Sequence, residues 1–494
     1  MITRQRRTLL IVGPLAFVVI GLVLENTDTL VPLKLSIQRT QENLPSSLAV
    51  PAVEIARGAP LISIYAERDQ LFNRQTGLLT NIRRRGLEWE VQAMTSYFDQ
   101  GRLLFASSVG FRVHGDNSGS TPQEQSFRLH FRRAYGSEQF LPGVLFDGRS
   151  DPITRLLIQN DRRLDRDGRW WYFASPLAYD IARAVGGVAP RTQPVSLFIN
   201  GERIGVYVLT EHVRRPFLRQ RYGHDDFIRS DPMIKGALRR AIREISPLTM
   251  ASASHLLDLD SLSRWFTSVV FSATTDPFQA VLLRDTGRTD NPWFWVSWDL
   301  DKSFADLEGQ TPVLSRHDTF ATTLNQPTLE SEILTRLIAE DPAYRNYLAL
   351  MISETLNHRL TPEFLNERFT YYKTAALRLG VENLAYLEDL RFFLQLRSHE
   401  MRALATRYLG VGPAHQVRLI GPEDVTFDIN GHRESPGFSG WYFQGTDVTL
   451  TIETRRADFA YWVVNEEQVQ TGTLSHMITT DTVITPVFGQ AATE

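Results

Sequence analysis

The chain has 494 residues, 43% of them hydrophobic and 22% charged, with a formal net charge of -3 and no cysteine. That composition is globular rather than disordered, and the length asks for two or three cores rather than one. The slight negative charge argues against nucleic acid as a partner, and the missing cysteines exclude disulfides, thiol nucleophiles and thiolate metal sites.

At the start, Arg4, Arg6 and Arg7 precede an uncharged, mostly apolar run over 8–24, and Glu25 and Asp28 follow it. This charge order predicts a transmembrane signal anchor over 1–24, with the bulk of the chain extracytoplasmic, in the periplasm or at the cell surface. A cleaved signal peptide and a buried helix are the alternatives. Pro32, Pro45, Pro51 and many polar side chains mark a linker over 25–56. Strands are expected at 61–65, at 105–113 with a turn at Gly115, and at 126–131, where apolar and polar residues alternate. A helix is expected over 177–185, stopped by Gly186-Gly187. Asn200-Gly201 between 195–199 and 205–209 is a strong hairpin signal. Asp260 is placed to cap a helix running through Trp265 and Val269.

From 329 to 409 apolar residues recur at helical spacing, as at Ile333, Leu337 and Ile338, with Pro342 and Pro362 near helix starts. Gly410, Gly412 and Pro413 end that pattern. Short strands follow, at 448–452 and 461–464, and predict a small β-sandwich-like domain over 412–494.

Chemistry concentrates in Trp298-Asp299-Leu300-Asp301, downstream of Thr274-Thr275-Asp276. In extended backbone Asp299 and Asp301 would face one space, where two carboxylates repel unless a proton or cation separates them. A hard divalent ion with oxygen ligands resolves this, and Asp276 would add a third acid. The plainer alternative is that these acids cap turns and pair with arginines. The arginines from Arg219 to Arg243 could meet an acidic partner or form a solvated helix face. Trp170-Trp171-Tyr172-Phe173 could stack on a ligand or pack a core. There is no Walker loop, zincin His pair or Gly-x-Ser-x-Gly elbow.

Several landmarks stand together in one order: Leu71-Phe72, Thr76-Gly77-Leu78, Trp89-Glu90, Phe111-Arg112-Val113-His114-Gly115, Ser126-Phe127-Arg128-Leu129 and Tyr135-Gly136. Phe198-Ile199-Asn200-Gly201 through Gly205-Val206-Tyr207 to Thr210-Glu211 follows, then Asp276, the Trp298–Asp301 box, and Asp341-Pro342 with Tyr344 and Arg345. In this the chain resembles the CotH kinase family, the spore-coat-protein-H-like atypical protein kinases. The resemblance implies an α+β, protein-kinase-like domain over 57–411 with a helical C-terminal part, before the small all-β domain. It implies ATP, Mg2+ and transfer of phosphate to serine on a protein or cell-envelope partner. Carried over, Asp276 is the catalytic base, Asp299 the principal metal ligand and Asp301 its support. The turn from Gly115 through Asn117 to Ser118 would cover phosphates with backbone N–H groups. Arg112 and His114 are candidate phosphate contacts, and Glu211 a candidate partner for a basic residue of the site. His114 packed on its strand and Glu211 in a strand-end hydrogen bond are the plainer readings. Gln123-Glu124-Gln125 stands where the family usually carries lysine, Gly119 stands for an arginine, and no Asn follows Asp276. These departures carry the alternative of a catalytically inactive kinase-fold module for adhesion or for envelope or coat assembly.

Overall fold

The computed structural model describes residues 50–115, 121–136, 145–146, 153–164, 170–276, 280–304, 317–454 and 458–489. The expected anchor over 1–24, most of the expected linker, and Asn117 and Ser118 lie outside them. A short helix, Ala52–Ala56, stands at the end of the expected linker. Among the described residues no helix is long and apolar enough to cross a membrane. The chain divides into two compact units, Met1–Val144 with Val195–Gly205, and Leu145–Pro194 with Val206–Glu494. That division falls inside the span 57–411 expected as one domain.

In the first unit Leu61–Tyr65, Val91–Asp99, Arg102–His114 and Ser126–His130 pair in sequence as an antiparallel meander. Alternation fixes the register, because a one-residue slip would turn every apolar side chain outward. Phe127 and Leu129 thus go inward opposite Val113 and Phe111, and the Phe111 and Phe127 rings lie 5.0 Å apart. Residues 196–199 add a parallel strand against 61–64. Asn200 and Gly201 take φ of +49° and +87°, both left-handed, as the tight hairpin turn requires. The Asn200 carboxamide also accepts from the Ala66 N–H and donates to the Ala66 carbonyl, each at 2.9 Å.

In the second unit Arg155–Gln159 pairs with residues 208–211. A three-stranded antiparallel sheet joins Phe227–Arg229, Ala280–Asp285 and Trp293–Ser297. Helix Leu259–Phe271 is nearly all buried and packs against helix Ala174–Ala184. Its cap is Asp258, whose carboxylate accepts from the Ser261 N–H at 2.9 Å; Asp260, expected as the cap, instead pairs with Arg264 one turn on. Only the earlier acid stands in extended backbone at the helix entry, where its oxygen can reach an unpaired N–H. Pro342 and Pro362 each occupy the first turn of a helix, behind the caps Asp341 and Thr361. From Ala414 to Phe488 a five-stranded and a four-stranded sheet enclose a core that includes Val417, Phe427, Tyr442, Leu450 and Trp462.

Candidate active site

Three segments of the second unit converge. After helix Leu259–Phe271 the chain turns through Ala273 at φ +47° and reaches Asp276. After strand Trp293–Ser297 it turns at Asp299, φ +56°, and runs on to Phe304. These two loops are knitted together. The Phe304 N–H donates to the Ser272 carbonyl at 2.8 Å, the Thr275 N–H to the Lys302 carbonyl at 2.9 Å, and the Thr274 and Ser303 hydroxyls meet at 2.7 Å. The third segment follows strand Arg155–Gln159 and supplies Asp161 and Arg163. Asp161 accepts from the Ser175 N–H, 3.3 Å away in the first turn of helix Ala174–Ala184, and from that helix the Tyr179 hydroxyl accepts the Asp299 N–H at 2.9 Å.

Asp276, Asp299 and Asp301 are therefore neighbours, but not for the reason their spacing suggested. The strand ends at Ser297, and Asp299 sits in a left-handed turn rather than in alternating extended backbone. Aspartate tolerates that conformation better than most side chains. Two of the three acids have cations beside them: Lys302 Nζ is 3.0 Å from Asp276, and Arg163 forms an ion pair with Asp301. The Asp299 carboxylate has no hydrogen-bond or ion-pair partner among the described residues. Burial, then the charge of Asp301, carries it up to about 6 against the pull of Arg163, with Asp276 adding to the rise. Asp161 is buried and raised to about 7, chiefly by burial, against its Ser175 hydrogen bond and with Asp301 pushing it further. Its Oδ2 is buried without a hydrogen-bond partner. This is a strained group of carboxyls that a proton or a hard cation would relieve. It is looser than a ready metal cage: the group whose three ligand atoms all lie within 4.8 Å of one another, among the described residues, is Glu354, His358 and His432.

The remaining expected residues have structural partners. In the first unit Arg112 lies 3.5 Å from Glu90, a wholly buried carboxylate that also meets Arg132 at 3.1 Å and accepts from the Tyr135 hydroxyl at 2.9 Å. Gly110 makes room for it, since a Cβ there would lie 2.4 Å from Glu90 Oε1. The Arg128 guanidinium donates to His114 Nδ1. Gly115 is left-handed, φ +89°, and its carbonyl accepts from Arg85 Nε at 3.0 Å. In the second unit Glu211 is buried and accepts the Arg191 N–H at 2.9 Å, the strand-end bond. Among the surface arginines, Arg219 pairs with Asp225, and Arg239 and Arg243 with Glu332. Trp171 is buried against Tyr386, while Trp170, partly exposed, lies under the Arg162 guanidinium at 4.6 Å. Sequence reasoning missed Asp161, Arg163, Tyr179 and Lys302. The one available signal was an acid just past an apolar strand, Leu156-Leu157-Ile158, the same pattern that singled out Asp299.

Residues 111–241 and 237–383 match the family model described as CotH kinase protein, more than half of the chain. No curated protein matches. Two solved structures show a distant likeness. A Helicobacter pylori proinflammatory kinase, CtkA, shares 10% identity over 60% of this chain and 96% of its own, with a TM-score of 0.31. A Shewanella oneidensis toxin–antitoxin complex of HipA, HipB and operator DNA shares 11% identity over 60% of this chain and 66% of its own, with a TM-score of 0.25. Likenesses of that size support no inference about activity.

Proposed function

The chain belongs to the CotH kinase protein family, and from that premise we propose a magnesium-dependent phosphotransferase that moves the terminal phosphoryl group of ATP to a serine on a protein or cell-envelope partner. The anchor over 1–24 and an extracytoplasmic setting belong to the same proposal. The observation that supports it best is the Asp299 carboxylate, partnerless and raised to about 6 among other acids. The orphaned Asp161 Oδ2 beside this group fits an oxygen-preferring cation too. Asp299, Asp301 and Asp161 are the residues that would hold Mg2+, which when bound supplies positive charge against the phosphate oxygens. Asp276 accepts the proton of the serine hydroxyl as its oxygen bonds to phosphorus and ADP leaves. Lys302, 3.0 Å away, orients the Asp276 carboxylate for this. Full-length protein given Mg2+ and labelled ATP should label itself or a serine-bearing protein, and Asp276→Asn should abolish the label.

A second reading rests on the same two ion pairs. Lys302 and Arg163 already neutralise Asp276 and Asp301, so the fold could serve as an inactive module for adhesion or coat assembly. ATP with Mg2+ discriminates: a raised melting temperature favours transfer, and an unchanged one with partner binding intact favours the module.

A further inference from the structure

Far along the chain from these acids, the second unit gathers a different donor set. Helix Pro342–Glu354 runs into a π-helical turn, Thr355–Arg359, a rare geometry that recurs at functional sites. Glu354 ends the helix and His358 lies in the turn. His432 comes from the short strand His432–Glu434, just after a tight turn at Asn430-Gly431 with φ of +52° and +83°. Glu354 Oε2 is 3.3 Å from His358 Nε2 and 3.1 Å from His432 Nε2. These are about the ligand–ligand edges of a tetrahedron with metal bonds of about 2.0–2.1 Å. Yet Oε2 is buried and no hydrogen bond reaches it. The two imidazoles lie parallel, centroids 4.2 Å apart, with both Nε2 atoms close to the same oxygen; one ring must turn for both lone pairs to meet a single ion.

The outer contacts fix the inner ones. His358 Nδ1 donates to Glu434 Oε1 at 2.7 Å; a carboxylate only accepts, so the neutral ring keeps its lone pair on Nε2. Asn430 Nδ2 donates to Glu354 Oε1 at 2.7 Å and leaves Oε2 for another partner. The Asn357 carboxamide holds the turn to the sandwich through both the N–H and the carbonyl of Trp441, at 2.9 and 3.0 Å. A carboxylate hydrogen-bonded to the far nitrogen of a ligating histidine is a recurrent support of metal centres.

We propose that Glu354, His358 and His432 bind a divalent transition-metal ion, zinc by preference of this nitrogen and oxygen set. The ion clips the hairpin of the β-sandwich to the end of helix Pro342–Glu354. The Tyr442 hydroxyl, 3.2 Å from His358 Nε2, donates to that lone pair when no ion is bound and must turn aside for one. The site uses no residue of the acidic group at Asp299 and stands whether or not phosphoryl transfer occurs.

The test takes full-length protein stripped with chelator and dialysed against zinc ion alone, with bound metal measured after desalting and cobalt as a spectroscopic substitute. The wild type should retain about one zinc per chain, melt higher with zinc than without, and give a tetrahedral cobalt spectrum. His432→Gln should lose stoichiometric zinc. Glu434→Gln, which leaves all three ligands in place, should bind about 10–100-fold more weakly and serves as the test if His432→Gln does not fold. Asp299→Asn should bind zinc like the wild type. Natively folded wild type that retains no zinc overturns the proposal. So does equal zinc affinity in wild type and Glu434→Gln, or loss of zinc in Asp299→Asn.

Discussion

Asp299→Asn separates two things one carboxylate does. The group moves from an ordinary 3.8 to about 6 in the folded chain, mainly by burial and then by Asp301. A folded-state carboxyl with a raised value favours its protonated form. Below pH about 4 it is neutral in both states and costs nothing. Between pH about 4 and about 6 the unfolded chain ionises it while the folded chain keeps the proton, so stability falls across that window and the loss is complete above about 6. At neutral pH the loss is about 3 kcal/mol at 1.36 kcal/mol per unit. Asparagine keeps the shape, tolerates φ of +56° and never ionises. We expect Asp299→Asn to stabilise metal-free protein by up to about 3 kcal/mol at pH 8, or about 4 °C in melting temperature for a unit of this size. The difference should shrink to nothing near pH 4. Under the transfer reading the same variant should lose the thermal shift given by ATP with Mg2+. A variant less stable than wild type at pH 8, or a difference independent of pH, refutes the reasoning about the carboxyl group. A persisting shift with ATP and Mg2+ refutes the metal role.

Other outcomes can be read more briefly. Arg163→Gln removes the cation of Asp301 and one that lowers Asp299, so Asp299 should titrate higher than in wild type by carboxyl NMR, and Mg2+ should bind more tightly in calorimetry. Gly110→Ala drives a methyl to 2.4 Å from Glu90 Oε1 and 2.7 Å from the Tyr135 ring, and should cost about 1–3 kcal/mol in urea unfolding. Asn200→Ala breaks both bonds to Ala66 and puts alanine at φ +49°; a loss of about 1–3 kcal/mol is expected by the same assay. With Asp161 raised to about 7 and burial the main cause, phosphoryl transfer that needs the ionised carboxyls should climb between pH 5 and 8 in a pH–rate profile.

What the sequence made legible was local. Period-two alternation marked Ser126–His130, and the Asn-Gly pair marked its turn, because each depends on neighbours a few residues apart. Asp258 and Asp260 could not be told apart by type, since either can cap; only the backbone angle at the helix entry chooses. The acids at 276, 299 and 301 were found, but their geometry was not, because a left-handed turn replaced the extended run on which the alternation argument stood. Arg163 carried no signal, and Asp161 only its place after an apolar strand, for a different reason. Their meeting with the 299–301 loop spans more than a hundred positions, and no composition or spacing reports such a contact. The same holds for Glu354 and His432, which meet directly from a helix end and a strand far apart in sequence.

The first unit is not a continuous stretch of chain: Val195–Gly205 returns to it after an excursion through the second. Its opening strand, Leu61–Tyr65, waits for a parallel neighbour more than 130 positions downstream. During synthesis, then, the amino-terminal sheet emerges from the ribosome with one edge bare. It stays so until residue 205 is out, a window in which a chaperone or a second nascent chain can reach unpaired amides. Cutting the gene at a single point cannot release this unit whole; a splice bringing 195–205 back to the end of 144 could.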